Sequence, residues 1–155
     1  MLKPLKGLKE ILKSLKQSLK RLKKILHSEG LRFTSQREAV WNEIISSDDH
    51  READEIYMAI RQKGVSVSRA TVYRTIDVLL KNNFVRKLDV GVGPSKFEHK
   101  IDSHHHDHII CIQCGRIEEF MVDQIENLQD KVAEEYGFKL VRHIHQLFGL
   151  CENCQ

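Results

Sequence analysis

Ser68-Arg69-Ala70-Thr71-Val72-Tyr73-Arg74-Thr75-Ile76-Asp77-Val78-Leu79-Leu80 is the stretch on which the fold turns. Val72, Ile76, Leu79 and Leu80 recur at helical spacing and form one apolar face. Ser68 is a natural N-cap, because its hydroxyl can accept from a backbone N–H of the first turn. Arg69, Thr71, Tyr73 and Arg74 fall on or near the outer side, close to the N-terminal end. A recognition helix reads the major groove of DNA with that end. Two β-rich runs follow, Val85–Val90 and Lys96–His99, joined by the turn residues Gly91-Val92-Gly93-Pro94-Ser95. A hairpin after a helix-turn-helix is a wing.

Two shorter helices are expected upstream. One starts near residue 36 behind Thr34 or Ser35, with Val40, Trp41, Ile44 and Ile45 apolar. The other covers about Ala53 to Gln62, with Ile56, Tyr57 and Ile60 inward, and Gly64 stops it. Asp48-Asp49-His50 lies between them. The order helix, helix, helix, strand, strand spells a winged-helix domain.

The chain opens differently. Leu5, Leu8, Leu12, Leu15, Leu19, Leu22 and Leu26 step by three and four, a heptad seam, with lysines on the other faces. Pro4 suits the first turn and Gly7 weakens it, so the helix should fray before residue 8 and end near Ser28-Glu29-Gly30. Residues 1–24 carry eight lysines and one arginine against Glu10 alone, a net +8. The whole chain is +3, which leaves 3 − 8 = −5 for the remainder. Bulk charge therefore does not argue for nucleic-acid binding by the main body. Packing on its own domain, self-association, DNA phosphates and a membrane surface are the readings open to this arm.

The second half reads β-β-α-β: strands over His106–Cys111 and Arg116–Phe120, a helix over Val122–Tyr136, and a strand over Phe138–Phe148. Its chemistry is concentrated in His104-His105-His106-Asp107-His108, in Cys111-x-x-Cys114, and in Cys151-x-x-Cys154. Two CxxC pairs have the spacing of a tetrahedral thiolate site for structural Zn²⁺. No secretory signal is visible, which speaks against disulfides and for a cytoplasmic protein. No apolar run approaches the roughly 20 residues that cross a bilayer. The histidines and carboxylates exceed what a four-thiolate zinc needs, so a further metal position is expected. Side chains alternate along a strand. His104, His106 and His108 therefore point one way, and His105 and Asp107 the other, so one segment can feed two sites.

With these residues in view, the chain resembles the ferric uptake regulator family of bacterial metal-dependent repressors. The marks are Ala70-Thr71-Val72-Tyr73-Arg74, the run His104–His108 leading to Cys111-x-x-Cys114-Gly115, and Cys151-x-x-Cys154. The resemblance covers roughly residues 22–155. It implies an α+β chain: a basic helical extension over 1–21, a winged helix-turn-helix domain over 22–100, and a C-terminal α/β metal-binding dimerisation domain over 101–155. It implies a homodimer, with a higher oligomer through the arm as a further expectation, closed by metal onto an AT-rich palindromic operator. No membrane partner is implied.

By the same resemblance Cys111, Cys114, Cys151 and Cys154 hold structural zinc. His50, Glu98, His106, His108 and Glu119 form the regulatory site, for Fe²⁺ or Mn²⁺, with Zn²⁺ also acceptable. His105, Asp107, Glu126 and His143 form a second metal site, although Glu126 and His143 could simply be a surface pair. Tyr73 contacts bases beside Arg74. Arg32 resembles a minor-groove residue and Arg37 a phosphate contact. The family pattern is one residue shorter before the histidine run, so Glu98 and His99 both stand as ligand candidates. His145 and His27 read as ordinary surface residues. Glu119 and Arg74 favour the iron-responsive members over peroxide sensors, with zinc or manganese sensors third. A metallohydrolase is the remote alternative; no His-Glu-x-x-His helix supports it, and an enzyme is not expected.

Overall fold

The computed structural model describes residues 8–101 and 105–155. The expectations attached to Pro4, Leu5, Gly7 and His104 lie outside them. The chain divides into two compact units, Met1–Asp89 with Pro94–Ser103, and Val90–Gly93 with His104–Gln155. Among the described residues no helix is long and apolar enough to cross a membrane.

The N-terminal unit contains helix α1 (Leu8–Ser28), α2 (Ser35–Ile45), strand β1 (Arg51–Glu52), α3 (Ala53–Gln62), α4 (Arg69–Lys81), β2 (Val85–Leu88) and β3 (Lys96–His99). Helix starts follow local chemistry. Thr34 accepts from Arg37 N–H at 3.3 Å and Ser68 from Thr71 N–H at 3.1 Å. Glu52 and Glu55 close a capping box on α3. Helix ends follow it too. Gly64 (φ 79°) and Asn83 (φ 58°) both adopt the left-handed conformation that ends a helix. The backbone then turns back, with Val65 N–H on Ile60 C=O and Phe84 N–H on Leu79 C=O.

α2, α3 and α4 bury Val40, Trp41, Ile44, Ile56, Ile60, Val72, Ile76 and Leu79 in one core, closed by Phe84 edge-on to Trp41 at 5.5 Å. α1 joins that core through Leu22 and Leu26, with Leu15, Leu19 and Ile25 packed against it. Its leucine seam is thus consumed inside the unit from residue 15 onward, and α1 runs unbroken across residue 22. The sheet order is β1-β3-β2, all antiparallel, with Leu88 opposite Lys96 and Val85 opposite His99. β1 was not expected. Two residues carry no periodicity, and they form a strand only because β3 offers an edge.

The C-terminal unit contains β4 (Asp107–Cys111), β5 (Ile117–Phe120), α5 (Asp123–Glu135) and β6 (Gln146–Gly149). The order is β5-β4-β6, with β4–β5 antiparallel and β4–β6 parallel. The long final strand expected over Phe138–Phe148 shrinks to Gln146–Gly149, because only those residues find β4 as a partner. α5 buries none of its residues, and Leu128 and Val132 are more than half exposed. The fold is α+β, as expected.

Candidate metal centres and nucleic-acid interface

The parallel pairing of β4 and β6 brings both CxxC turns to the same end of the sheet, with Cys111 opposite Gly149. The sulfurs of Cys111, Cys114, Cys151 and Cys154 all lie within 4.8 Å of one another, and none is in a disulfide. Cys114 and Cys151 are 3.7 Å apart. A tetrahedron with Zn–S near 2.3 Å has an edge of about 3.8 Å, so the spacing fits zinc. Cys111 accepts from backbone N–H groups of Cys114 and Cys151, which pull its pKa down to about 6. Cys154, whose thiol is hydrogen-bonded to the neighbouring Cys151 sulfur and shielded from water, is pushed up to about 12. The four thiols thus do not share charge evenly, and a cation is what lets all four ionise together.

A second group lies on the other face of the start of β4. His105 and His143 meet Nε2 to Nε2 at 2.8 Å. His105 Nε2 is 3.3 Å from Glu126 Oε1 and 3.6 Å from Asp107 Oδ1. His143 Nε2 is 3.6 Å from Glu126 and 3.7 Å from Asp107. Asp107 is only 1% exposed, and its Oδ2 and the Glu126 Oε1 atom have no hydrogen-bond donor. A buried carboxylate facing two imidazoles and a second carboxylate needs compensating positive charge, which a bound cation can supply. The donor set of two nitrogens and two carboxylates fits a divalent ion of the zinc, iron or manganese type.

His145 corrects its reading as a surface residue. It is partly buried, its Nδ1 stands 3.4 Å from Asp107 Oδ2, and its ring packs edge-on to Phe120. The alternation of 143 and 145 was the available signal, but only the fold brings Asp107 to it.

Each unit also carries nitrogen and oxygen donors of its own. In the N-terminal unit His50 Nε2 meets Glu98 Oε2 at 2.7 Å, and Arg86 Nε sits 3.0 Å from the other Glu98 oxygen. Glu98 is 5% exposed. The adjacent His99 turns to Asp48 instead, at 2.9 Å. Neighbouring residues of β3 point to opposite faces, and this register pairs Glu98 with His50. In the C-terminal unit His106 Nε2 lies 3.6 Å from Glu119, and the His106 and His108 rings stand 4.9 Å apart. His108 is opposite Glu119 across β4 and β5.

His50 is anchored by a network that sequence reading missed. Its neighbour Arg51 reaches the buried Glu43 of α2 at 2.7 Å, and Lys63 joins the other Glu43 oxygen at 2.5 Å. Burial raises the Glu43 pKa, but hydrogen bonds from Lys63 and Arg51 outweigh it and hold the carboxyl below its ordinary value. Only the tertiary fold brings residues 43, 51 and 63 together.

On α4, Tyr73 is 48% exposed and Arg74 is exposed. Thr71 is partly committed: its hydroxyl lies 3.0 Å from Ser68 and 3.4 Å from Gln36 of α2, tying the two helices. Arg69 pairs with Asp54 at 3.0 Å and lies over the Tyr57 ring. Arg37 donates to the Arg32 carbonyl at 2.6 Å and so holds the loop from which the Arg32 side chain projects.

The family model for "Ferric uptake regulator family" matches residues 28–148. This chain belongs to the ferric uptake regulator family. By that membership it is a metal-dependent transcriptional regulator of iron homeostasis, and not an enzyme. A ferric uptake regulation protein of Campylobacter jejuni is 41% identical over 133 residues, 84% of each chain. A peroxide-responsive repressor of Staphylococcus saprophyticus is 34% identical over 130 residues, 84% of this chain and 86% of that one. The solved structure of the Helicobacter pylori ferric uptake regulator, described as having three functional metal-binding sites, superposes with a TM-score of 0.79. It is 36% identical and covers 99% of this chain and 97% of that one.

Proposed function

We propose that this family member is an iron-responsive, homodimeric, cytoplasmic repressor whose DNA binding is switched by one divalent ion held by His50, Glu98, His106, His108 and Glu119. The observation that carries the reading is the division of donors. The N-terminal unit offers two, His50 and Glu98, and the C-terminal unit three, His106, His108 and Glu119. Neither set alone completes a usual coordination sphere, whereas together they offer five nitrogen and oxygen donors. An ion bound by all five favours the one arrangement of the units that lets both sets reach it, which is a population shift driven by differential affinity. The Glu43–Arg51 pair transmits the position of His50 to α2, and Gln36–Thr71 carries α2 to α4.

Within this reading residues 22–100 bind DNA, with Tyr73 and Arg74 at bases and Arg32, Arg37, Arg69 and Thr71 positioning the helix on an AT-rich palindrome. Residues 101–155 dimerise, through the apolar surface that α5 leaves open. Zn²⁺ fills the four-cysteine site, and the His105, Asp107, Glu126, His143 group takes a further divalent ion. The Helicobacter pylori relative, with its three metal sites, supports a count of three.

The test is operator binding titrated anaerobically with Fe²⁺, Mn²⁺ and Zn²⁺ on protein that retains its four-cysteine zinc. Tightening strongest with Fe²⁺, abolished in His50→Ala, is expected. Binding indifferent to added metal defeats the switch. Release by peroxide in the iron form moves the protein to the peroxide sensors.

A further inference from the structure

α1 presents two faces of opposite character. Its leucines enter the core of the N-terminal unit. On the other side Lys9, Lys13, Lys16, Lys20, Lys23 and Lys24 recur every three to four residues. At 3.6 residues per turn all six fall within an arc of about 100°. Their side chains are exposed, and none makes an ion pair among the described residues. Glu10 is the only acid on α1. A helix face adapted simply to water intersperses glutamates at i, i+4 spacing; this stripe has no internal compensation.

We propose that this lysine stripe is a second DNA contact surface, one that lies along the phosphate backbone flanking the operator. The inference rests on the reading of the protein as a DNA-binding regulator. Three observations select DNA over other occupants. The seam that a partner helix would need is taken: Leu22 and Leu26 are buried, and Leu15, Leu19 and Ile25 pack on the same core. The stripe also has a direction. Lys23 at its C-terminal end lies over the Phe33 ring, 4.8 Å from its centroid. Phe33 sits beside Arg32, in the loop that leads to the N-terminus of α2, so the stripe starts where the winged-helix reading already puts a DNA contact.

Its dimensions match as well. At 1.5 Å per residue, Lys9 to Lys24 span about 22 Å, a length of duplex that carries on the order of 13 phosphate charges. Arg21 is not part of the surface, because it donates to the Asn82 carbonyl and lies over Phe84. The stripe reads no bases. It adds counterion release, and so affinity without sequence preference.

The experiment compares full-length, metal-loaded wild type with Lys9→Gln/Lys13→Gln/Lys16→Gln/Lys20→Gln. The probe is a palindrome selected by the wild type from a random pool, extended by several helical turns, beside a scrambled duplex of equal length. Affinities are measured across salt concentration. Removing one lysine–phosphate pair flattens the log–log slope by about 0.9, so the variant should be shallower by about 3 to 4 per protomer. Its preference for palindrome over scramble should not change. The matching lysine-to-arginine variant should keep the wild-type slope, which separates charge from any folding defect. An unchanged slope in the glutamine variant overturns the proposal while leaving the regulator reading intact. A flattened slope in the arginine variant also overturns it. So does an unchanged DNA slope with wild type alone binding phosphatidylglycerol vesicles, which assigns the stripe to lipid. A wild type that selects no DNA at all defeats both readings.

Discussion

The two units are stabilised in different ways. The N-terminal unit closes a core of its own: Trp41, Val40, Ile56, Ile60, Val72, Ile76, Leu79 and Phe84 are all at most 2% exposed. The C-terminal unit has Ile110 and Cys111 buried in its sheet, while Leu128, Val132, Phe138, Val141 and Ile144 all stand more than half exposed. A unit of that size rarely folds on its own apolar burial. What it has instead is a cluster of thiols, a cluster of imidazoles and carboxylates, and an uncovered apolar surface. The contrast teaches that one half closes a core by its own packing, while the other gathers metal-type donors and leaves apolar surface uncovered.

Removing metal should break the contrast most severely. Cys114→Ser, or stripping zinc with a strong chelator, should abolish cooperative unfolding of the C-terminal unit, because structural zinc contributes on the order of 10 kcal/mol in small domains. The fluorescence of the single Trp41, deep in the other unit, should keep its own transition. Zinc content and two-probe thermal melts check this, and a variant that keeps both its zinc and its melting behaviour refutes the thiolate site.

Trp41→Ala is the mirror image. It should cost about 3–5 kcal/mol in the N-terminal unit through the cavity it leaves against Phe84. Zinc content should not move. Denaturant titration followed by circular dichroism, with metal analysis alongside, reads both.

Glu43→Gln sharpens the comparison at the buried Glu43–Arg51–Lys63 network of the packed half. The destabilisation should be about 2–3 kcal/mol at neutral pH, since Arg51 keeps its charge without a full partner. Glu43 has a folded pKa below its unfolded one. Its contribution is therefore fully present above about pH 4.5 and fades as pH falls through the lower folded value. The stability gap between wild type and variant should be flat from pH 6 to 8 and narrow below about 4.5. A gap that does not narrow in acid excludes the carboxylate as its source.

Tyr73→Ala is the smallest effect and acts on function alone. Operator affinity should fall roughly tenfold, about 1.4 kcal/mol, with stability and zinc content unchanged. Unaltered affinity removes Tyr73 from the base contacts.

The helical part of the fold was legible because its signals are local. Ser68 and Thr34 announce the starts of α4 and α2, and Gly64 the end of α3, through chemistry that spans only three or four residues. Lys96–His99 was legible for the same reason. β1 was not, since Arg51–Glu52 acquires strand geometry only from the edge of β3. Phe138–Phe148 misled, because an apolar run reads as a strand whether or not a neighbour is there to pair with it.

The metal chemistry divides along the same line. By itself the sequence determined that four thiolates and a surplus of imidazoles and carboxylates must be placed, and that His105 and Asp107 face away from His106 and His108, because a strand alternates by two. Only the tertiary structure decided that Glu98 meets His50 while His99 turns to Asp48, and that His145 stands against the buried Asp107. It also decided that Glu43, Arg51 and Lys63 form one network. Those outcomes depend on register between strands and on packing between helices. Both are fixed by the collective burial of the core, and no local spacing records them.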